Sequence, residues 1–421
     1  QRRQVANFSE KLATWRRQPP IPLARPNRMT PITASETAAA RLKRNQTNAF
    51  FVSFIALGLA FSSLGPTLPS LAGNTGSTLS QISILFTVQS LGLLAGNFLS
   101  GRLFDRRPAF PFLAAVVLTT AAMLALVPLM TSLAMLAGVL FIMGLAAGSI
   151  DVGGNTMLVW LHGNQAGPRM NALHFFFGVG ALLAPIFVAQ AIGLTGGVTV
   201  AYWLLALLVL PAAVLFLRLP SPAAPAHIAQ ARSERIPWLP VGLMIAAFFL
   251  FVGAEVSFGG WIYTYALTLG LVTVTGGGYL TSVFWGALTL GRLLTIPIAD
   301  RVRPRYLLLA DVLGGVASLA LLLLLPGVSW AVWVAAFGFG LSMANVYPTL
   351  VLLGQRHLHL TATITSLFMV GGSIGSMVIP WLIGQRFESI GPQVTMMVLL
   401  VAVLLAGVDV AAFLWVTRSR R

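Results

Sequence analysis

The sequence predicts an all-α membrane protein of twelve transmembrane helices, arranged as two pseudo-symmetric six-helix bundles. Three observations carry this. Hydrophobic residues make up 57% of the chain and charged residues 9%, and the mean hydropathy is +0.87, outside the range of a soluble domain of this length. Apolar runs of the roughly 20 residues that a bilayer requires recur twelve times. The end of the second run also returns at the end of the eighth: Gly96 precedes Asp105-Arg106 by nine residues, as Gly291 precedes Asp300-Arg301, at an offset of 195. Such a parallel repeat implies two bundles around a central site.

Taken in order, residues 1–45 are basic, contain prolines and lack a long apolar run. Val5, Phe8, Leu12 and Trp15 fall at helical spacing among Lys11, Arg16 and Arg17, the pattern of a short interfacial helix, before Pro19, Pro20, Pro22 and Pro26 break it. A processed extension without function fits equally well, and the apolar core of a cleaved secretory signal is missing. The spans are expected at 47–71, 80–104, 110–130, 133–161, 170–193, 199–218, 240–268, 279–299, 306–326, 330–354, 363–386 and 393–417. The first bundle then covers 46–218 and the second 240–417. A cytoplasmic linker with Ser221, Pro222, Pro225 and Pro237 covers 219–239, and 418–421 form a basic tail.

The net charge of +16 is scattered in short clusters between apolar runs, a topological pattern rather than a nucleic-acid-binding stripe. With the N-terminus inside, 25 of the 26 Lys and Arg lie in or beside inside segments, and only Arg386, next to Glu388, lies outside. Both termini are therefore expected on the cytoplasmic side of a plasma (bacterial inner) membrane. Zero cysteines exclude disulfides and thiol-metal sites. No Walker loop, HExxH, GxSxG with a partner His, or dinucleotide fingerprint is present. Neither an enzyme nor a cofactor is expected. The expected partners are a small-molecule substrate, a sodium ion or proton, and membrane lipid, with no nucleic acid and a monomeric state.

The stretch Phe251–Ala266 places Glu255 well inside an apolar run. A lone carboxylate there costs about 2.5–3.5 kcal/mol on insertion scales unless it faces a cavity or a partner. Gly259-Gly260 weakens the helix next to it, and Trp261, Tyr263 and Tyr265 supply flat rings with polar tips. A membrane helix with a paired acid and interfacial aromatics is the plainer alternative. The other mid-membrane acid, Asp151, shares a broad helical face with Gly144, Gly148 and Asn155. Asp151 serves either as a hydroxyl acceptor or cation carrier, or as an acid bonded to Asn155 or His174 that ties two spans together. In the other half, Glu255 faces it across the expected cavity. An ionised carboxylate can hold sodium, near Glu255 or Asp151; a neutral one carries a proton. His174 is a candidate inward proton relay. Gln89, Asn97, Asn345, Tyr347 and Trp285 are polar or aromatic positions that either contact a ligand or bind helices together.

Asp105, Arg106, Asp300, Arg301 and Arg292 read as gate elements, because they lie at or near cytoplasmic helix ends where acids and arginines can pair. Asp311 and Asp409 read as a structural charge network with Arg292, Arg301 or Arg303.

These residues resemble the major facilitator superfamily. Gly101-Arg102-Leu103-Phe104-Asp105-Arg106-Arg107 is similar to its loop 2–3 signature, although Pro108-Ala109-Phe110 replaces the usual Gly and basic residues. A narrower resemblance is to the fucose–galactose–glucose:proton symporter family, including its sodium-dependent glucose transporter-like branch. It is carried by Val252-Gly253-Ala254-Glu255-Val256-Ser257-Phe258-Gly259-Gly260-Trp261 with Phe284-Trp285-Gly286, by Ala172-Leu173-His174-Phe175 with Gly178 and Gly180, and by Gly340-Leu341-Ser342 with Tyr347-Pro348-Thr349. Span 1 lacks the Asp that proton-coupled sugar members often place there, which removes the basis for proton coupling through that span.

The resemblance implies a secondary transporter working by alternating access, carrying a hexose-type sugar with sodium or a proton. Glu255 and Asp151 are the expected coupling and contact groups, with Trp261, Asn155 and Asn345 on the sugar. A proton-coupled exporter of amphipathic compounds and a non-transporting membrane sensor of the same fold are the alternatives.

Overall fold

A computed structural model describes residues 34–104, 108–222, 236–299, 301–358 and 362–418. Two compact units emerge, Gln1–Leu42 and Lys43–Arg421. Of the first, the described residues 34–42 are helical; the interfacial helix expected around Val5–Trp15 lies outside the described residues, as does most of the expected linker. The second unit is built from helices, with no strand among the described residues. In chain order its elements are α1 (Ala34–Ser62, which begins in the first unit), α2 (Leu64–Thr75), α3 (Leu79–Ile82), α4 (Ile84–Phe104), α5 (Ala109–Leu126), α6 (Leu133–His162), α7 (Ala166–Thr195) and α8 (Thr199–Arg218). They are followed by α9 (Trp238–Thr268), α10 (Val274–Ala299), α11 (Pro304–Leu324), α12 (Ser329–Met343), α13 (Val346–His357), α14 (Ala362–Ile390) and α15 (Val394–Arg418). Among the described residues, ten helical segments are long and apolar enough to cross a membrane, and the bent α1–α2 pair makes an eleventh. The 26-residue α10 stands where the eighth span was expected.

Two spans expected to be continuous are broken. The first bends by 44° between α1 and α2. Pro66 has no N–H for the Ser62 carbonyl, while the Ser62 hydroxyl bonds the carbonyls of Gly58 and Ala181, both at 3.0 Å. Span 10 breaks between α12 and α13, where Pro348 leaves the Ala344 carbonyl without its helical donor.

The repeat read from the sequence returns as a repeat of packing. In the first half α4 packs on α6 and α5 on α8; in the second, α10 packs on α12 and α11 on α15. Between the halves, α7 meets α10 and α4 meets α14. The α4–α6 seam requires glycine: a Cβ on Gly144 or Gly148 would run into the carbonyls of Gln89 and Leu93, and one on Gly96 into that of Leu145. Small residues let helix backbones touch where no hydrophobic force separates helix from lipid.

Hydrogen bonds between the halves, where both partners are described, cluster toward the end that carries the α2–α3, α9–α10 and α14–α15 connections. Glu388 accepts from the Leu79 amide at 2.9 Å, and Gln385 bonds the Ser80 hydroxyl at 3.1 Å and the Ser80 carbonyl at 2.9 Å. Thr87 donates to the Met377 carbonyl at 2.9 Å, Ser376 bonds Ser90 at 3.2 Å, and Gln190 bonds Tyr279. Gly65 of α2 lies against the backbone of Gly259 and Gly260. The bundle is sealed at this end.

Candidate functional site

The seal defines the site. Along α9 every residue from Ser257 to Ala266 is buried, while Val252, Glu255 and Val256 are only partly so. Glu255 is thus the last polar side chain before the closed segment. Its Oε1 lies 3.8 Å from Nη2 of Arg292 on α10, with the two side chains 16% and 21% exposed. This is the ion pair found among the described residues. Arg292, expected at a cytoplasmic gate, instead stands beside the acid at the edge of that buried segment. A 3.8 Å pair between partly exposed side chains is a loose bond, open to exchange with a ligand's hydroxyls.

On the other half, α6 presents Asp151, Val152, Asn155 and Thr156 as one partly exposed stripe, with Gly153 and Gly154 turned into the packing. The Asn155 amide donates at 2.9 Å both to the Asp151 carboxylate and to its carbonyl. Of the two bonded alternatives for Asp151, the tie is to Asn155 on its own helix. His174 stands edge-on to Phe54, 5.9 Å between ring centres, and within electrostatic reach of Arg292. Tyr347 lies within electrostatic reach of both Asp151 and Arg292 and donates to the Met369 sulfur at 2.9 Å. It joins the charged groups of the two halves into one neighbourhood.

Among Gln89, Asn97, Asn345, Tyr347 and Trp285, three carry a buried polar atom without a partner. Asn345 occupies the N-cap of α13, where an Asn side chain ordinarily accepts from the first turn, yet it makes no cap bond and its Oδ1 is buried without a partner. Trp285 meets Phe61 and Phe177 of the first half at 6.1 and 6.5 Å, and its Nε1 is also buried without a partner. Asn97 Oδ1 is the third. Unpaired buried polar atoms are costly (about 1–3 kcal/mol each) unless another molecule satisfies them.

Trp261 is placed elsewhere. Its Nε1 donates to the Pro380 carbonyl at 3.0 Å, one face stacks on Phe387 at 5.1 Å, and Phe86 covers it at 6.1 Å. Completely buried in the seal, it offers no open face to a sugar in this arrangement. Gln89 is buried against the Gly144 seam. Of the gate set, Asp105, Arg106 and Asp300 lie outside the described residues, and Arg301 is exposed. Asp311 and Asp409 each keep a carboxylate oxygen buried without a partner, so the expected network with Arg292 is not formed. No group of three His, Cys, Asp or Glu able to hold a metal occurs among the described residues.

A bundle of two matched helical halves, held together at one end and with polar groups from both halves behind that end, is a transporter architecture. The Major Facilitator Superfamily model matches residues 50–380. The chain belongs to the major facilitator superfamily. Among relatives, a protein of Xenopus laevis named sodium-dependent glucose transporter 1 is 31% identical over 358 residues, covering 77% of this chain and 72% of that one. Major facilitator superfamily domain-containing protein 4A of Mus musculus is 27% identical, covering 83% and 88%. Among solved structures, that of a D-xylose-proton symporter superposes with a TM-score of 0.69 at 12% identity, over 87% of this chain and 97% of that one; it speaks to fold alone. The chain is a multi-pass membrane transporter of this superfamily, not an enzyme, with a small-molecule substrate.

Proposed function

We propose that this chain carries a hexose-type sugar by alternating access, driven by sodium or a proton. The observation that carries the reading is the Glu255–Arg292 pair at the inner edge of the seal, with Asp151–Asn155 facing from the other half. A sugar hydroxyl both donates and accepts, so a carboxylate and a guanidinium side by side match one diol. Asn345 Oδ1 and Trp285 Nε1, unpaired in this arrangement, supply one further acceptor and one donor as the halves close. The names of relatives at about 30% identity support the sugar.

The driving cation is assigned to Asp151. Glu255 already has a cation beside it, and a second positive charge there would have to displace Arg292. Asp151 has only the neutral Asn155 amide, so sodium or a proton completes its environment. His174 relays a proton if the coupling ion is one. By the distribution of Lys and Arg, the sealed end faces outward and both termini lie in the cytoplasm. Asp105, Arg106, Asp300 and Arg301 are the proposed gate at the inner end, with 46–218 and 240–417 as the moving halves.

The test is thermal stabilisation of the purified protein by a panel of sugars, in sodium or potassium and at two pH values. A stereoselective rise for one hexose, lost in Glu255→Gln, supports the reading. Silence to every sugar, with shifts from lipophilic cations, points to an exporter and overturns it.

A further inference from the structure

Four guanidinium groups and an imidazole gather around a recess away from the transport site, where α11 begins and α13 and α15 end. Arg303, Arg305, Arg356, His357 and Arg418 line a space of about 310 Å³, and among the described residues no carboxylate lines it. The ion pair among the described residues is Glu255–Arg292, so none of these arginines meets an acid there. The Arg305 Nε is buried without a partner, while its guanidinium lies 4.6 Å over the Tyr306 ring and donates to the Tyr306 hydroxyl. The positive end of the α11 dipole opens at the same place, with Pro304 in its first turn and no side-chain cap from Arg303. Like charges lining one recess repel one another, and an anion is the group that would offset them.

The flanks of the recess say which anion. Tyr306, Leu309 and Leu313 form one stripe on α11, 51, 53 and 60% exposed, and Val408 and Trp415 form another on α15, 68 and 75% exposed. Apolar surface so open beside a cationic recess belongs against acyl chains, with the aromatic residues at headgroup level. We propose that this recess binds the phosphate of an anionic phospholipid, whose chains lie along the α11 and α15 stripes. Arginines recognise phosphate through paired N–H donors. The site is independent of what the central cavity carries.

The test uses the full chain in uncharged detergent, adding phosphatidylglycerol, phosphatidylcholine or inorganic phosphate and reading the change in Tm from each variant's own lipid-free baseline. Phosphatidylglycerol at about a hundredfold its Kd should raise the Tm by about 3 °C, and phosphatidylcholine should not. The triple variant Arg303→Gln/Arg356→Gln/Arg418→Gln should lose the rise. The control Arg44→Gln/Arg169→Gln/Arg218→Gln, with the same charge loss, should keep it. Native mass spectrometry should show the same difference in retained lipid. Equal responses in both variants would reduce the effect to bulk charge and overturn the proposal. A rise with inorganic phosphate that phosphatidylglycerol does not exceed would leave a phosphate site served from solution and overturn the lipid assignment.

Discussion

Arg292 on α10 reaches Glu255 on α9 at 3.8 Å, directly below a segment of α9 in which every side chain from Ser257 to Ala266 is buried. The pair therefore sits at the boundary between the wholly buried part of α9 and the part whose side chains are partly exposed. Removing one partner leaves the other charge uncompensated, at about 3–5 kcal/mol for a fully buried pair. The partial exposure of both side chains lowers this to about 2 kcal/mol. Arg292→Met should thus lower the melting temperature clearly, and Glu255→Gln/Arg292→Met should recover most of the loss. A double-mutant cycle on melting temperatures measures the coupling; additive losses would mean the pair contributes nothing.

The α4–α6 seam makes a second prediction. A Cβ at Gly144 or Gly148 meets backbone carbonyls, which cannot swing away, whereas one at Gly138 meets nothing within 4 Å. Gly148→Val should destabilise by about 3 kcal/mol or more through overpacking. Gly138→Ala should be neutral or stabilising by about 0.5–1 kcal/mol, since it removes helix-interior glycine. Thermal melts of the two variants side by side check the contrast.

The seal is held partly by polar contacts at its rim. Glu388→Gln removes a charged acceptor from the Leu79 amide, and Gln385→Ala removes two bonds to Ser80. One exposed charge-assisted bond and two part-buried neutral ones are worth about 1 kcal/mol together once solvent competes. The double variant should raise the reactivity of a cysteine placed at Thr87, behind the rim, about 5-fold. Thiol labelling in membranes reads this directly, and unchanged labelling would show that the apolar contacts of Trp261 hold the seal alone.

Asp151 and Asn155 make the fourth prediction. If Asp151 takes the driving cation, Asp151→Asn should abolish accumulation against a gradient yet leave exchange of sugar across the membrane largely intact. Asn155→Ala, which removes both bonds to Asp151, should lower the apparent affinity for the cation more than that for the sugar. Concentrative uptake compared with exchange in proteoliposomes separates the two.

Much of this was legible beforehand because it is periodic. Apolar runs must match the bilayer, so the helices followed, and the Gly96 and Gly291 repeat carried over into matched packing of the halves. Asp151 and Asn155, one helical turn apart, were readable as neighbours. The pairing of Arg292 with Glu255 was not, since it joins two helices whose rotation about their axes leaves no mark in either sequence; Arg292 looked like a gate residue for that reason. Trp261 was expected to be open because aromatic rings often line polar sites. It packs in the seal because its helix continues past the cavity, and where a cavity stops depends on how the halves lean. The break at Ser63 was hidden by the apolar character of its surroundings, although Pro66 was a signal for it.

The most direct test of the central claim is counterflow in proteoliposomes loaded with unlabelled D-glucose. Labelled D-glucose should accumulate transiently, labelled L-glucose should not, and neither should accumulate in Glu255→Gln. Equal entry of both enantiomers, or full counterflow in Glu255→Gln, would contradict the claim.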